Sequence, residues 1–183
     1  MVDFMHATRE DDFYWGERFT AVHCTFDMDG GMWLILPDEG YTPDDLLADQ
    51  QALSFILDPA AERSSRFVKI NLSVPRFDVT SDLELSTALR ALGVTDVFSE
   101  QAADFTPLTG TDQPVWLSQV QHTARVTIDE EGCKAAAYTV LLMAGAAPPQ
   151  EREVVDFVLD RPFLFVITGA DGLPLFVGVV NQP

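Results

Sequence analysis

The 183-residue chain is 47% hydrophobic and carries 11 basic against 29 acidic residues, a formal charge of −18, with a pI near 4.2 and a mean hydropathy of +0.08. That apolar content supports one globular domain with a real core and excludes a disordered tail. The negative charge repels phosphate backbones and anionic headgroups, so neither nucleic acid nor a membrane surface is an expected partner.

No apolar run approaches the roughly 18 residues that a membrane-spanning helix needs. Met1 to Glu10 contains Asp3, His6, Arg9 and Glu10 and has no apolar h-region, so it does not read as a signal peptide. Strand signals come next. In Phe19 to Phe26, Val22, Cys24 and Phe26 alternate with His23 and Thr25. The turn Asp27-Met28-Asp29-Gly30-Gly31 leads into the apolar run Met32 to Leu36, which Pro37 stops, and the pair reads as a hairpin. Thr42 is an N-cap, Pro43 suits the first helical position, and Asp44 and Asp45 favour the positive end of the dipole. Leu46, Leu53, Ile56 and Leu57 supply the stripe of one helix that closes at Pro59.

A long strand is predicted from Arg66 to Val79, with Pro75 marking a bend or a change of sheet. Ser81-Asp82-Leu83-Glu84 reads as a capping box that opens a short helix ended by Gly93. Val115 to Ile128 alternates again, with Trp116, Val120, His122, Ala124, Val126 and Ile128 on one face. A lone histidine on an apolar face is expected to be a satisfied core residue. Residues 129–153 break the pattern with Glu130-Glu131-Gly132, a run of small residues and Pro148-Pro149. Phe163 to Thr168 and Leu175 to Val180 are apolar on both faces and are predicted to be central strands. The fold class expected is α+β, mainly antiparallel β, with two or three helices and one long loop.

Neither catalysis nor metal binding finds support. Cys24 and Cys133, the two cysteines, suggest neither a disulfide framework nor a metal site. His23 and Cys24 are adjacent on a strand and must point to opposite faces, so they cannot form a nucleophile–base pair. Asp27-x-Asp29-Gly30 lacks the distal glutamate of a calcium loop and reads as a hairpin turn. G-x-S-x-G, H-E-x-x-H and a phosphate-cradling glycine loop do not occur. No cofactor is expected, and the chain is not expected to be an enzyme.

The order of segments resembles the C-terminal half of a serpin. Phe157-Val158-Leu159-Asp160-Arg161-Pro162-Phe163-Leu164-Phe165-Val166-Ile167 is similar to the family signature, and Pro174 to Pro183 to its terminal strand. Met32 to Gly40, Leu92 to Phe98, Ala103 to Phe105 and His122 to Gly132 resemble further family segments. The resemblance spans residues 1–183 and implies sheets B and C with part of sheet A; the family's N-terminal helices and several sheet A strands have no counterpart here. It implies a serine-type protease inhibitor that acts by loop cleavage and strand insertion, and a location outside the cell or in the cell envelope. The alternative is a truncated or non-inhibitory serpin fragment acting as a structural or protein-binding module.

On the residues alone, the segment after Gly132 is either an alanine-rich surface loop or a strand in waiting. Written as a strand, Cys133, Ala135, Ala137, Thr139, Leu141 and Met143 form one small or apolar face, and residues 133–147 contain no proline. The resemblance makes residues 130–153 the reactive-centre loop. Its hinge would be Glu130, Glu131, Gly132, Cys133, Lys134, Ala135, Ala136, Ala137, Tyr138 and Thr139, and its bait bond Ala146-Ala147, with Gly145 or Ala144 as alternative positions. A small bait residue implies an elastase-like target protease. The resemblance also gives His122 a hydrogen-bonding role in the "shutter" beneath the opening sheet. Unpaired edges at 115–128 and 68–74 predict self-association into a homo-oligomer.

Overall fold

A computed structural model describes residues 3–26, 29–110, 113–129 and 152–183. It is α+β, mainly antiparallel strands, and the chain divides into two compact units, residues 1–78 with 127–183 and residues 79–126.

The first unit is built on seven strands: β1 (Phe4–Trp15), β2 (Phe19–Thr25), β3 (Gly31–Pro37), β4 (Ser64–Pro75), β7 (Val154–Val158), β8 (Phe163–Thr168) and β9 (Pro174–Val180). They form one sheet in the order β7-β4-β1-β2-β3-β8-β9. All neighbours are antiparallel except β4 and β7, which run parallel. The predicted hairpin forms between β2 and β3 with Val22 opposite Leu34 and His23 opposite Trp33. Its turn closes through the Phe26 N–H on the Gly30 carbonyl at 3.1 Å, with Asp29 and Gly30 at φ 64° and 83°.

One face of the sheet carries helices α1 (Pro43–Leu47) and α2 (Gln50–Leu57). Leu46, Ala52, Phe55 and Ile56 pack there on Phe19, Ala21, Ile35, Leu164 and Val166. The stripe predicted as one helix is therefore two. Thr42 opens the first with a capping box, its hydroxyl accepting from the Asp45 N–H at 3.2 Å while the Asp45 carboxylate accepts from the Thr42 N–H at 2.8 Å. Asp49 then restarts the chain as a second N-cap, its carboxylate accepting from the Gln51 and Ala52 N–H groups at 2.9 and 3.0 Å. A side-chain acceptor there satisfies donors that a continuous helix would have bonded internally. The opposite face buries Phe13, Val22, Met32, Leu34, Ile70, Leu72, Phe157, Phe163 and Phe165, with Phe77 edge-on to Phe163 at 5.7 Å.

Three strand expectations change. β1 was not anticipated, yet it pairs with β4 along all twelve residues and lies inside the sheet. Residues 68–74 are consequently not an edge, because β4 is paired on both sides, by β1 and β7. β8 is buried as predicted, but β9 is the terminal strand of the sheet and exposes Leu175, Phe176 and Val177. Its apolar character on both faces therefore does not place it in mid-core.

β5 (Phe77–Glu84) and β6 (Gln121–Ile128) form a separate two-stranded sheet. Pro75 does mark a change of sheet, since β4 ends there and β5 begins two residues later. Ser81 to Glu84 is strand rather than a capping box. Helix α3 (Ser86–Ala91) starts after it with Leu85 as N-cap, and the Glu84 carboxylate accepts from the Ser86 N–H at 2.8 Å. The strand expected from Val115 begins only at Gln121. Before it, the Leu117 N–H bonds to the Val97 carbonyl at 2.8 Å and the Val120 N–H to Ser86 Oγ at 2.9 Å, taking the backbone out of a ladder. A 3₁₀ turn (Asp96–Phe98) and helix α4 (Thr106–Thr109) complete the second unit, where Arg90 lies over the buried Phe98 ring at 4.3 Å.

Candidate functional site

The hinge Glu130 to Thr139 and the bond Ala146-Ala147 lie outside the described residues. What the structure defines is the pair of strands that flank this segment. β6 leads into it from the two-stranded sheet, and β7 leads out of it in the seven-stranded sheet.

On the entry strand, Asp82 gathers two donors from β6, Gln121 Nε2 at 2.8 Å and Thr123 Oγ1 at 3.2 Å. Nearer the start of β5, Asp78 accepts from Thr127 Oγ1 at 3.3 Å. Side-chain bridges of this kind fix the register of a two-stranded pair that has little apolar burial to fix it. Burial grows along the strand: Ala124 and Val126 are half-buried and Ile128 is buried, while His122 at the other end is exposed. His122 shares a face with these residues by alternation, as predicted, but it is not a core residue. Among the described residues β6 has β5 as its sheet partner.

The exit strand is paired along its whole length. Glu153 enters the ladder first, its carbonyl accepting from the Lys69 N–H at 3.0 Å, and the parallel register then runs from Lys69 opposite Val154 to Ser73 opposite Val158. Side chains reinforce it. Thr8 Oγ1 donates to Asn71 Oδ1 at 3.0 Å and Asn71 Nδ2 donates to Asp156 Oδ1 at 2.8 Å, a ladder across β1, β4 and β7. Arg66 pairs with Glu153 at 2.8 Å, and Arg152 pairs with Glu10 at 3.2 Å while lying over the Phe67 ring at 4.6 Å. These exposed pairs contribute only about 0–1 kcal/mol each. Their effect is to fix where the backbone leaves the sheet, because Asn71 spends both ends of its amide on its two neighbours. None of Thr8, Glu10, Asn71, Arg152 and Asp156 was singled out from the sequence. The available signal was a polar residue, Asp156, set inside the apolar run Val154 to Val158.

His23 and Cys24 sit opposite Trp33 and Met32, on opposite faces, and Cys24 is buried. His23 stacks on Trp33 at 4.6 Å, and burial, with lesser help from Arg9 and Arg63 and against the opposing pull of Asp11, holds its pKa below the ordinary histidine value. Burial first, then Asp12 and Asp11, pushes the Tyr14 phenol up. Among the described residues no cluster of three or more histidine, cysteine or carboxylate side chains could hold a metal.

Comparison with known proteins bears on the whole chain. A family model described as "Serpin (serine protease inhibitor)" matches residues 1–183. A serine proteinase inhibitor of Cavia porcellus is 33% identical over 176 residues, covering 89% of this chain and 40% of that protein. Alpha-1-antitrypsin 1-3 of Mus musculus is 36% identical over 152 residues, covering 81% of this chain and 34% of that protein. The crystal structure of tengpin, a thermophilic serpin, superimposes with a TM-score of 0.73 at 26% identity, covering 100% of this chain and 46% of tengpin. The chain thus spans less than half the length of these relatives.

Proposed function

The chain belongs to the serpin family, and from that premise we propose that it carries the loop-bearing half of a serine protease inhibitor, with residues 130–153 as the reactive-centre loop. The observation that carries this reading is that the segment, small-residue and free of proline over 133–147, joins strands of two different sheets. Its C-terminal anchor β7 is bonded into one sheet, and its N-terminal stem β6 has β5 as its described partner in the other. A segment so placed can lengthen the two-stranded sheet once it is cut, and a dozen added ladder bonds with their apolar burial supply on the order of 15 kcal/mol. Glu130 to Thr139 then act as the hinge, Ala146-Ala147 as the bait for an elastase-like protease, and His122 as a shutter residue. The setting proposed is extracellular or cell-envelope, where such proteases act.

The test is incubation of the full chain with pancreatic elastase followed by a denaturing gel and mass spectrometry. A band at the combined mass, with cleavage between Ala146 and Ala147, supports the proposal. Clean cleavage without a covalent complex overturns it and leaves the second reading, a structural or protein-binding module. That reading is favoured by one specific observation: among the described residues the loop-receiving sheet has two strands.

A further inference from the structure

A cleft of about 150 Å³ opens in the first unit where α2 meets the β1–β2 turn. None of its lining residues belongs to residues 130–153. One wall is aromatic: Phe19 and Phe55 are buried and edge-on to each other at 5.0 Å, and Trp15 stands partly exposed at the mouth. The turn beneath can be this tight because residue 16 is glycine. A Cβ there would fall 2.3 Å from Phe19 Cε1, so any side chain would push the ring away.

The polar lining is Gln51, Ser54, Glu62, Arg63 and Ser64. Gln51, Ser54 and Ser64 have side chains with no hydrogen-bond partner among the described residues. Arg63 is the unusual group. Nη2 donates to the Phe55 and Asp58 carbonyls at 2.8 and 2.9 Å, and Nη1 donates to the Pro59 carbonyl at 3.3 Å. Its guanidinium lies over the Trp33 and Phe55 rings at 5.1 and 5.0 Å. Three of its five N–H groups are thus committed to neutral carbonyls, and Nε is buried with no acceptor. Among the described residues no carboxylate comes within 4.0 Å of it, Glu62 included, in a chain with a net charge of −18. A partly desolvated cation with no carboxylate in contact, and only Asp58 acting on it at longer range, is one that a visiting anion would stabilise.

We propose that this cleft binds a small aromatic carboxylate, its ring against Trp15, Phe19 and Phe55 and its charge answered by Arg63. An arginine beside an apolar wall suits such a ligand, because the ring supplies burial and the carboxylate accepts the remaining donors. Gln51 and Ser54 hold the mouth, where a neutral amide could hydrogen-bond as well as an acid, so the discrimination between acid and amide must come from Arg63.

The probes are 2-naphthoate and its neutral amide, titrated into the full chain by calorimetry with tryptophan fluorescence as a second readout. Saturable one-site binding of the acid at about 1 mM or tighter is expected, with the amide at least about tenfold weaker. Ser54→Phe fills the cleft and should abolish binding while melting like the parent. Arg63→Gln should weaken the acid about tenfold and leave the amide unchanged. Because Arg63 also holds the carbonyls at the end of α2, Ser54→Phe is the decisive variant. Absence of saturation, equal affinity for acid and amide, or unchanged binding in Ser54→Phe overturns the proposal.

Discussion

Replacing Gly178 with alanine tests whether β9 is seated as the structure shows. Gly178 lies opposite Phe165 in the β8–β9 ladder. A Cβ built on it falls 2.3 Å from Phe165 Cζ and 2.5 Å from Cε1, whereas carbon atoms in contact sit about 3.5–4.0 Å apart. The ring would have to move by more than about 1 Å, and it has nowhere to go, because Phe165 is buried and Phe77 lies against it at 5.2 Å. Overpacking of this kind costs about 1–3 kcal/mol, against a gain of roughly 0.4–1 kcal/mol from the smaller unfolded-state entropy of alanine. The net expectation is a loss of about 1 kcal/mol, or a Tm lower by roughly 2–4 °C for a protein of this size. Urea unfolding measures it directly. Phe165→Leu in the same chain makes room, so the double variant should be more stable than the sum of the two losses by about 1 kcal/mol or more. A Gly178→Ala protein as stable as the parent, or strict additivity in the double variant, would refute the packing described for this strand.

Three further outcomes follow from single contacts. His23 is held mainly neutral by burial, so the native state binds fewer protons than the unfolded chain below the ordinary histidine pKa of about 6.5; stability should be flat above that pH, fall as pH drops through it, and level off below the depressed native value. Trp33 fluorescence during urea unfolding across that window reads the effect, and His23→Phe should flatten it. Asp49→Ala removes the cap of α2 and should cost about 1 kcal/mol, whereas Asp49→Asn, which keeps an acceptor but loses the 3.5 Å pair with Arg18, should recover most of it; equal losses would assign the effect to the ion pair. The β9 edge carries no charge from Leu173 to Val180, so the chain should self-associate more strongly as salt screens its net charge, and Leu175→Lys should hold it monomeric in sedimentation at the same salt.

Where the sequence spoke clearly, one physical term dominated. The β2–β3 hairpin, the Thr42 cap and β8 each combine apolar alternation or a continuous apolar run with an unambiguous breaker, and all three stand as read. β1 was invisible because two opposed signals cancelled. Its outward residues His6, Thr8 and Glu10 are polar and exposed, as a half-buried strand requires, but its inward set includes Arg9 and Asp11. Those two are tolerable inside because they pair with each other at 3.2 Å and Arg9 donates to the His23 carbonyl at 2.5 Å. A periodicity count scores both as polar and sees no strand. The helix misread as one piece has the same origin: Asp49 looks like any polar residue on the stripe until its carboxylate is seen capping two N–H groups.

The reading of 130–153 rests on a different kind of signal. Nothing in alanine content alone tells a loop from a strand in waiting; the proposal that it is the latter draws its support from family membership and from the two flanking strands. The two flanking strands are anchored in different sheets. β7 is tied by a ladder in which Thr8, Asn71 and Asp156 each engage a neighbour, and by two arginine–glutamate pairs. β6 is paired with β5, and Gln121, Thr123 and Thr127 add side-chain bonds to Asp82 and Asp78. A cut within the segment therefore leaves its C-terminal stub bonded in the large sheet. Under the proposed reading the N-terminal arm would stay attached to β6, and the small residues on one face of its sequence would keep the steric cost of joining that ladder low.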